Sequence, residues 1–296
     1  MIYDVNGNEL ITSDSGSKIL VASVLDASSE SARFSAMKQL LDIGKKKLAD
    51  PNATIHDDEF TYATKGAVCS LPVGNTGMYE KYPFSMLYSK NGTTQAVPAS
   101  VTKVMSLVTG LDYLENVTDT ITIKSSDSQA GSGPSLSDGD TMTMQELMLC
   151  MALPSSNTGA QAFARICGAK MLESKGVTTY TDSECRSEFV SKMNAKASYI
   201  GMTNSTFDNA SGTSSNNLTT ANDLVQLLVE ACSYPEIMKV WNKKTYTIAV
   251  GGTNPRSITI NTTVANQTLE NYYYILGGKT GSISGAQALV MVAKII

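Results

Sequence analysis

The sequence predicts an α/β fold in which a sheet-based body carries a helical insert. An apolar run, KILVASVL at Lys18–Leu25, predicts a strand buried on both faces. Helical patterns fill most of residues 143–232, and strand patterns return from Tyr246 to the end of the chain. With 296 residues, 42% of them hydrophobic and 17% charged, the chain suits one large domain or two small ones.

Along the N-terminal part, strand and helix patterns alternate. Ser28 or Ser29 can cap a helix after the first strand, and a polar linker follows at Ala49–Lys65. Two short strands are predicted at Gly66–Leu71 and Ser85–Ser89, joined across the glycines of residues 74–77. The helical stripe after the first strand consists of Phe34, Met37, Leu40, Leu41 and Leu48.

The remaining elements follow the same two periodicities. The predicted helices are Thr143–Ala152, Thr158–Leu172, Glu184–Ser198 and Thr220–Cys232. The predicted strands are Tyr246–Val250, Ile258–Ile260, Gly278–Gly281 and Ala288–Ile296. We therefore expect one domain over 1–296, with a strand and helix in 1–48, a linker in 49–65, a sheet body in 66–124 and 236–296, and a mainly helical subdomain in 125–235.

Composition excludes several classes of function. The net charge of −4, without a basic cluster, argues against nucleic acid as a partner. No apolar run reaches the roughly 18 residues of a membrane span, and the first residues do not resemble a signal peptide. The five cysteines lack metal-ligand spacing, and the single histidine, His56, lies in a polar connector, which disfavours a Ser-His-Asp triad.

The segment from Pro98 to Lys103 carries a candidate nucleophile. Pro98 suits the first turn of a helix, and Ser100 then lies at the helix N-terminus. Lys103 is three residues on, so its amine can reach Ser100 as a base. The same S-x-x-K pattern occurs at Ser15/Lys18 and Ser35/Lys38, so this pattern alone is not specific.

Two later motifs make Ser100 the preferred candidate. Ser155-Ser156-Asn157 and Lys279-Thr280-Gly281 follow in the order expected of S-x-x-K, S-x-N and K-T-G enzymes. Alone, the first could be a helix cap after Pro154, and the second a plain glycine turn. The three together favour catalysis.

The three motifs supply the groups that acyl transfer requires. Ser100 is the nucleophile, and Lys103 is its base if burial and a nearby Lys279 keep the amine neutral. Ser155 can pass a proton to the leaving nitrogen, and Asn157 can hold Lys103 and the substrate amide.

The third motif supplies the substrate-binding side of the site. Lys279 and Thr280 offer a cation and a hydroxyl to a carboxylate, and Gly281 lets a substrate lie close to the strand. The backbone N–H groups of Ser100 and Ser282 are the predicted oxyanion hole.

On these motifs the sequence resembles the serine D-alanyl-D-alanine carboxypeptidases, the low-molecular-weight penicillin-binding proteins. The likeness covers roughly residues 66–296. Beyond the motifs it rests on Leu87–Asn91, Phe189-Val190, Met193-Asn194, Ile200–Met202, Thr219–Leu224 and Tyr274–Gly281.

The resemblance implies a β-lactamase/transpeptidase-like fold, with a five-stranded antiparallel sheet flanked by helices and a helical subdomain. It implies cleavage of the terminal D-Ala-D-Ala bond of peptidoglycan stem peptides through an acyl-enzyme on Ser100, and inhibition by β-lactams. It implies no metal or organic cofactor, and action outside the cytoplasm, in a cell envelope, a secreted protein or a phage particle.

Departures from the family pattern leave alternatives open. Asn157 is followed by Thr158, and Ser282 replaces the aromatic or histidine residue that usually follows K-T-G. A serine β-lactamase or esterase and a non-catalytic cell-wall-binding module are the alternative functions. Endopeptidase action on crosslinks is a possible companion activity.

Residues 18–44 resemble the strand and helix with which family members end. This likeness predicts that the chain is a circular permutant, with Lys18–Leu25 placed between the Gly66–Leu71 and Ala288–Ile296 strands. An unrelated N-terminal extension is the alternative.

Overall fold

The computed structural model describes residues 19–71 and 84–296. Its strands are β1 (Ile19–Ala27), β2 (Ala63–Leu71), β3 (Ser85–Lys90), β4 (Thr120–Thr122), β5 (Asp140–Thr143), β6 (Thr245–Gly252), β7 (Arg256–Asn261), β8 (Tyr273–Ile283) and β9 (Ala286–Ile295). Its helices are α1 (Glu30–Ala49), α2 (Thr102–Leu111), α3 (Met144–Ala152), α4 (Asn157–Glu173), α5 (Asp182–Tyr199), α6 (Ala221–Ala231), α7 (Pro235–Trp241) and α8 (Gln267–Glu270).

A five-stranded antiparallel sheet, in the order β3-β2-β1-β9-β8, forms the body of the protein. The strand β1 occupies its centre, where Ala22 pairs with Val68 on one side and Met291 on the other. The predicted five-stranded antiparallel sheet and the predicted place of this strand are confirmed. That this order arose by circular permutation stays a prediction.

The two-sided apolar pattern of β1 explains its central position. Leu20, Ala22 and Val24 belong to the core under α1, whereas Ile19 and Val21 belong to the larger core on the opposite face. These side chains are essentially inaccessible to solvent. Each buried Val, Leu or Ile contributes roughly 1.5–3 kcal/mol, so β1 is stable only with a layer on both faces.

The helix α1 packs against one face of this sheet. Ser29 caps it by accepting a hydrogen bond from the N–H of Ala32 at 3.1 Å, which confirms one of the two predicted caps. Its residues Met37, Leu40 and Leu41 are fully buried against the sheet. The helix α6 covers part of the opposite face of the sheet. A buried hydrogen bond of 2.6 Å from the Ser23 hydroxyl to the Ala221 carbonyl fixes α6 to β1.

A second sheet of four strands, in the order β4-β5-β6-β7, was not expected. The sequence patterns assign Tyr246–Val250 and Ile258–Ile260 to the sheet body. Instead, β7 pairs with β6, and β6 pairs with the short strand β5, which in turn pairs with β4. Arg256 of β7 forms a bidentate ion pair with the buried Asp140 of β5, at 2.7 and 2.8 Å, and so links two strands of this sheet. Strands of three or four residues carry too little pattern to be predicted.

The helical subdomain is built mainly from α3, α4 and α5. Phe163 of α4 and Phe189 of α5 meet edge to face, with ring centroids 6.0 Å apart. The predicted helix Thr220–Cys232 corresponds to α6, which packs on the main sheet as well, although we expected it in the subdomain. Within the described ranges, no helix is long and apolar enough to cross a membrane.

Other sequence predictions have simple outcomes. The linker is shorter than expected, because β2 already begins at Ala63 and a 3-10 turn forms at Asp57–Glu59. All five cysteines are buried and free, and His56 is exposed. Lys18, the Ser15/Lys18 pattern and the turn at residues 74–77 lie outside the described residues.

Because β1 is the central strand, we expect the stability of the whole sheet to depend on it. Deletion of residues 1–48 removes β1 and nearly all of α1, so β2 and β9 lose their shared neighbour and the sheet is split. We expect the shortened chain to lack a cooperative thermal transition by circular dichroism. Leu20→Ala, a milder change in the same strand, should fold but lose about 2–5 kcal/mol of unfolding free energy. A stable, cooperatively folded deletion product would contradict the prediction.

Candidate active site

Ser100 lies in a tight turn rather than in the first turn of an α-helix. Ala99–Val101 form a 3-10 helix after Pro98, and α2 begins only at Thr102. Ala99 has a φ of 48°, an uncommon backbone conformation for a residue with a side chain. The strained turn leaves Ser100 half-buried at the surface of the cleft while α2 continues into the core.

Two glycines allow other segments to close around this turn. A Cβ atom on Gly212, whose φ is 83°, would lie 1.9 Å from the carbonyl oxygen of Ala99. A Cβ atom on Gly281 of β8 would lie 2.4 Å from the carbonyl oxygen of Pro98. Ser100 is therefore flanked by β8 and by the segment 208–213.

The amine of Lys103 is fully buried and held by three oxygen atoms. Its Nζ lies 3.0 Å from Ser100 Oγ, 2.9 Å from Asn157 Oδ1 and 2.6 Å from the carbonyl oxygen of Ser211. A neutral amine has two N–H donors and one lone pair. Because Asn157 Oδ1 and the Ser211 carbonyl can only accept, they take the two donors and leave the lone pair for the Ser100 hydroxyl.

Burial allows the Lys103 amine to be neutral near neutral pH. It lowers the pKa of Lys103 to about 7, because the charged form loses its hydration. The pKa of Lys279 is also held well below its ordinary value, first by burial and then by the charges of Lys103 and Arg33. Two buried lysines whose charges oppose each other favour a state in which they do not both carry a charge.

The second motif bends the chain between α3 and α4. Ser155 has a φ of 66°, and its Oγ accepts a hydrogen bond from Lys279 Nζ at 2.8 Å. Ser156 caps α4, because its Oγ accepts a hydrogen bond from the Gly159 N–H. The helix-cap interpretation of the motif therefore applies to this residue alone. Asn157, the first residue of α4, donates through Nδ2 to the Ala130 carbonyl at 2.9 Å, which directs its Oδ1 to Lys103.

The third motif lies on β8, at the edge of the main sheet. Lys279 is buried and donates to Ser155 Oγ and to the Thr280 carbonyl, both at 2.8 Å. The hydroxyl of Thr280 is 2.7 Å from that of Thr263. Ser282 is exposed and donates to Gln287 Oε1 at 2.6 Å. The structure thus brings the three motifs to one cleft, although Ser155 makes no direct hydrogen bond to Lys103 among the described residues.

Arg33 of α1 is a charged residue of this cleft that sequence reasoning missed. Its Nη1 is 2.9 Å from Gln287 Oε1, 3.0 Å from Ser282 Oγ and 3.4 Å from the Gly281 carbonyl. The side chain is only 5% exposed, and its nearest carboxylate is the exposed Glu30, 3.5 Å away. An arginine four residues before Met37, on the buried stripe of α1, is the signal that could have revealed it.

The cleft has an excess of buried positive charge. Lys103 and Lys279 have no carboxylate partner among the described residues, and Arg33 has only the weak contact with Glu30. Buried cations without counter-ions are costly unless an anion completes the site. The arrangement can therefore bind a carboxylate beside an activated serine.

Comparison with known proteins agrees with this geometry. The sequence model of the D-alanyl-D-alanine carboxypeptidases, peptidase family S11, matches residues 80–295. The chain belongs to this family. The matched range leaves β1 and α1 outside it.

Curated members of the family are similar over about half of this chain. A D-alanyl-D-alanine carboxypeptidase of Bacillus subtilis is 29% identical over 168 residues, which are 55% of this chain and 39% of that protein. A D-alanyl-D-alanine endopeptidase of Haemophilus influenzae is 30% identical over 155 residues, 52% of this chain and 48% of that protein. The chain therefore matches less than half the length of these two relatives.

Solved structures share the fold. The crystal structure of the Streptomyces K15 DD-transpeptidase has a TM-score of 0.60 and 25% identity, covering 71% of this chain and 84% of that one. An evolved penicillin-binding protein homologue of Mycobacterium tuberculosis has a TM-score of 0.57, with 71% and 77% covered. Its 22% identity supports the fold alone. The transpeptidase-like fold predicted from the sequence is confirmed.

The burial of Lys103 predicts a titration near neutral pH. In protein carrying ¹³C-labelled lysine, the Lys103 Cε signal should titrate with a midpoint at about 7, and Lys103→Met assigns that signal by removing it. Because the folded pKa lies below the unfolded value, the unfolded chain binds more protons between pH 7 and about 10.4. The Lys103 contribution to unfolding free energy therefore rises with pH across that window. A signal unchanged up to pH 9 would contradict the assignment.

Proposed function

We propose that the protein is a serine-type D-alanyl-D-alanine carboxypeptidase that cleaves peptidoglycan stem peptides through an acyl-enzyme. One observation carries this proposal: Ser100 Oγ lies 3.0 Å from a fully buried lysine amine whose pKa falls to about 7. Membership of the family and the shared fold support the same reaction.

Acylation follows from the contacts of Ser100. The neutral Lys103 amine takes the hydroxyl proton as Ser100 Oγ attacks the carbonyl carbon of the penultimate D-Ala. The backbone N–H groups of Ser100 and Ser282 stabilise the negative oxygen of the tetrahedral intermediate. The C–N bond then breaks as the proton held by Lys103 passes through the Ser155 hydroxyl to the nitrogen of the terminal D-Ala. An ester remains on Ser100, and Lys103 is neutral again.

Deacylation reverses the proton movements with water as the nucleophile. Lys103, again neutral, takes a proton from a water molecule that attacks the ester carbonyl. The Ser100 oxygen leaves and recovers its proton from Lys103. Asn157 and the Ser211 carbonyl keep the lysine lone pair directed at the reacting atoms in both steps.

The terminal carboxylate binds among the cations at the β8 side of the cleft. Arg33 and Lys279 supply positive charge, and Thr280 and Ser282 supply hydroxyl groups. Lys279 also holds Ser155, so charge at this residue is coupled to the proton route. The nearby carboxylate favours the charged form of Lys279. The positive charge of Lys279 in turn disfavours a charge on Lys103, which therefore stays neutral.

Action on peptidoglycan places the protein outside the cytoplasm. Its partners are peptidoglycan peptides and β-lactams, which react with Ser100 to form a long-lived ester. The reaction requires no metal or organic cofactor, and nucleic acid is not a partner. Endopeptidase action on crosslinks is a second candidate, since relatives from Haemophilus influenzae and Pseudomonas aeruginosa carry that name.

The assignment of Ser100 is tested with fluorescent penicillin and a peptide ending in D-Ala-D-Ala. We expect the wild type to be labelled covalently and to release D-Ala, and Ser100→Ala to lose both while its thermal transition is kept. Ser35→Ala, in the S-x-x-K pattern of α1, is the matched control and should retain both. Labelling of Ser100→Ala would disprove the assignment, rapid loss of label from the wild type would indicate a β-lactamase, and absence of label would indicate a binding module.

The role of Arg33 is tested by comparing a peptide acid with its C-terminal amide. Arg33→Gln should lower kcat/KM for the acid by about ten- to a hundredfold, the size of one charge-assisted hydrogen bond. The amide should be affected much less. Lys45→Gln, an exposed change on the same helix, should alter neither substrate. Equal losses on acid and amide would show that Arg33 supports the fold of the cleft and does not bind the carboxylate.

A further inference from the structure

A closed loop formed by residues 206–219, the 206–219 loop, lies beside the catalytic cleft. Thr206 and Leu218 exchange two backbone hydrogen bonds, at 2.8 and 2.9 Å, which close the loop at its base. Thr219 exchanges two more with Ala96, at 2.8 and 3.0 Å. The base of the loop is therefore attached to the chain segment that leads into the turn of the nucleophile.

The side chain of Asn217 is fully buried inside the 206–219 loop, and it takes no part in the reaction described above. Its Oδ1 accepts hydrogen bonds from the backbone N–H groups of Asp208 and Asn209, at 2.6 and 3.2 Å. Its Nδ2 lies 3.2 Å from Asn209 Oδ1, 3.4 Å from the Asn209 carbonyl oxygen and 3.3 Å from Thr102 Oγ1 of α2. A buried amide that is satisfied at both ends holds the backbone around it in one conformation.

The peptide group between Ser211 and Gly212 connects this network to the base. Its N–H, that of Gly212, donates to Asn209 Oδ1 at 2.8 Å. Its C=O, that of Ser211, accepts from Lys103 Nζ at 2.6 Å. Because a peptide group is planar and trans, its N–H and C=O point in opposite directions. Fixing the N–H at Asn209 therefore fixes the direction of the carbonyl toward Lys103.

The helix that carries the base holds the preceding peptide group of the loop. Ser106, fully buried on α2 one turn after Lys103, donates to the Ala210 carbonyl at 2.7 Å. Thr102, on the same helix, accepts the hydrogen bond from Asn217. The base and two anchors of the loop thus belong to one rigid element, so the Ser211 carbonyl is held at a fixed place relative to the amine.

We propose that Asn217 is a positioning residue for the base Lys103. Acting through Asn209, it directs the Ser211 carbonyl so that the lone pair of the amine is left for the nucleophile. The inference rests on the proposed function, in which the amine takes the proton of Ser100. The amine becomes charged as it does so, and a hydrogen bond from a charged donor is about twice as strong as one from a neutral donor. The carbonyl therefore stabilises the transition state more than the resting site.

Removal of the Asn217 amide tests the proposal. In Asn217→Ala the peptide group is free to turn, so acylation and deacylation, which both use Lys103, should slow together. We expect kcat on a peptide ending in D-Ala-D-Ala, and the rate of penicillin labelling, to fall by about ten- to a hundredfold, the size of one hydrogen bond to a charged group. KM should stay unchanged, because both steps slow alike and the groups that bind the carboxylate are untouched.

Asn209→Leu is a second variant with a smaller effect on packing. It removes the acceptor of the Gly212 N–H, and because Asn209 is half-buried and leucine has a similar size, we expect the fold to be kept. The loss of kcat should match that of Asn217→Ala. Since the two residues act in one chain of hydrogen bonds, the double variant should lose no more than the larger single loss.

Titration of the Lys103 Cε signal separates positioning from a general loss of stability. An acceptor stabilises the ammonium form more than the neutral amine, so displacement of the carbonyl should move the midpoint in both variants below the wild-type value of about 7. The charge of Lys279, which opposes that of Lys103, is the same in all of these proteins.

Two controls should change neither kcat nor the midpoint. Asn216→Ala alters an exposed neighbour in the same loop. Met171→Ala opens a cavity near the C-terminal end of α4 and lowers stability without touching the loop.

An unchanged kcat or an unchanged midpoint in both variants would overturn the positioning role. A raised KM with kcat kept would also overturn it, because the loop would then bind substrate. Equal losses in Met171→Ala would reduce the effect to one of stability. A wild type that neither cleaves the peptide nor reacts with penicillin would refute the proposed function instead, and the Lys103 midpoint would still test the positioning role.

Discussion

The burial of the Lys103 amine is the constraint on which the rest of the site depends. A lone ammonium in a protein interior is costly, and the cost is lowest when the group is neutral and its donors are satisfied. Asn157 Oδ1 and the Ser211 carbonyl meet that need from two separate segments. The turn around Ser100, the start of α4 and the segment 208–213 must therefore converge on one atom. Stability alone would favour an apolar residue here, so the lysine reflects a demand of chemistry.

Close approach of neighbouring backbone segments encloses the turn that carries Ser100. Gly212 and Gly281 lie where a side chain would collide with the carbonyl oxygens of Ala99 and Pro98. With Ser100 enclosed on these sides, the cations Lys279 and Arg33 lie in a medium where charge is poorly screened. A protein with a net charge of −4 can thus carry a strongly anion-attracting cleft, because the local arrangement and not the total charge governs binding.

The residues that were predictable carry their chemistry in their side chains. Ser100, Lys103, Ser155, Asn157 and Lys279 stand in short motifs, and the two-sided apolar pattern of β1 indicated its central place. Contacts made by backbone atoms have no such pattern, so the Ser211 carbonyl was not foreseen. The 3-10 turn at Ser100 depends on neighbours distant in the chain, and the second sheet on strands too short to show a period. Arg33 was missed because its role depends on the tertiary placement of α1.

The placement of Arg33 connects the stability of the sheet to the chemistry of the cleft. The pairing of β1 with β9 shifts register between Val24 and Ala27, where Asp26 has a φ of 57°. This irregularity turns the chain into α1, which Ser29 caps. One turn later Arg33 reaches Ser282 at the end of β8 and Gln287 at the start of β9. A strand in the middle of an antiparallel sheet is held by its neighbours, whatever its position in the chain order. The segment that completes the sheet can therefore supply the cation of the site from the N-terminal part of the chain, provided that its register with β9 is kept.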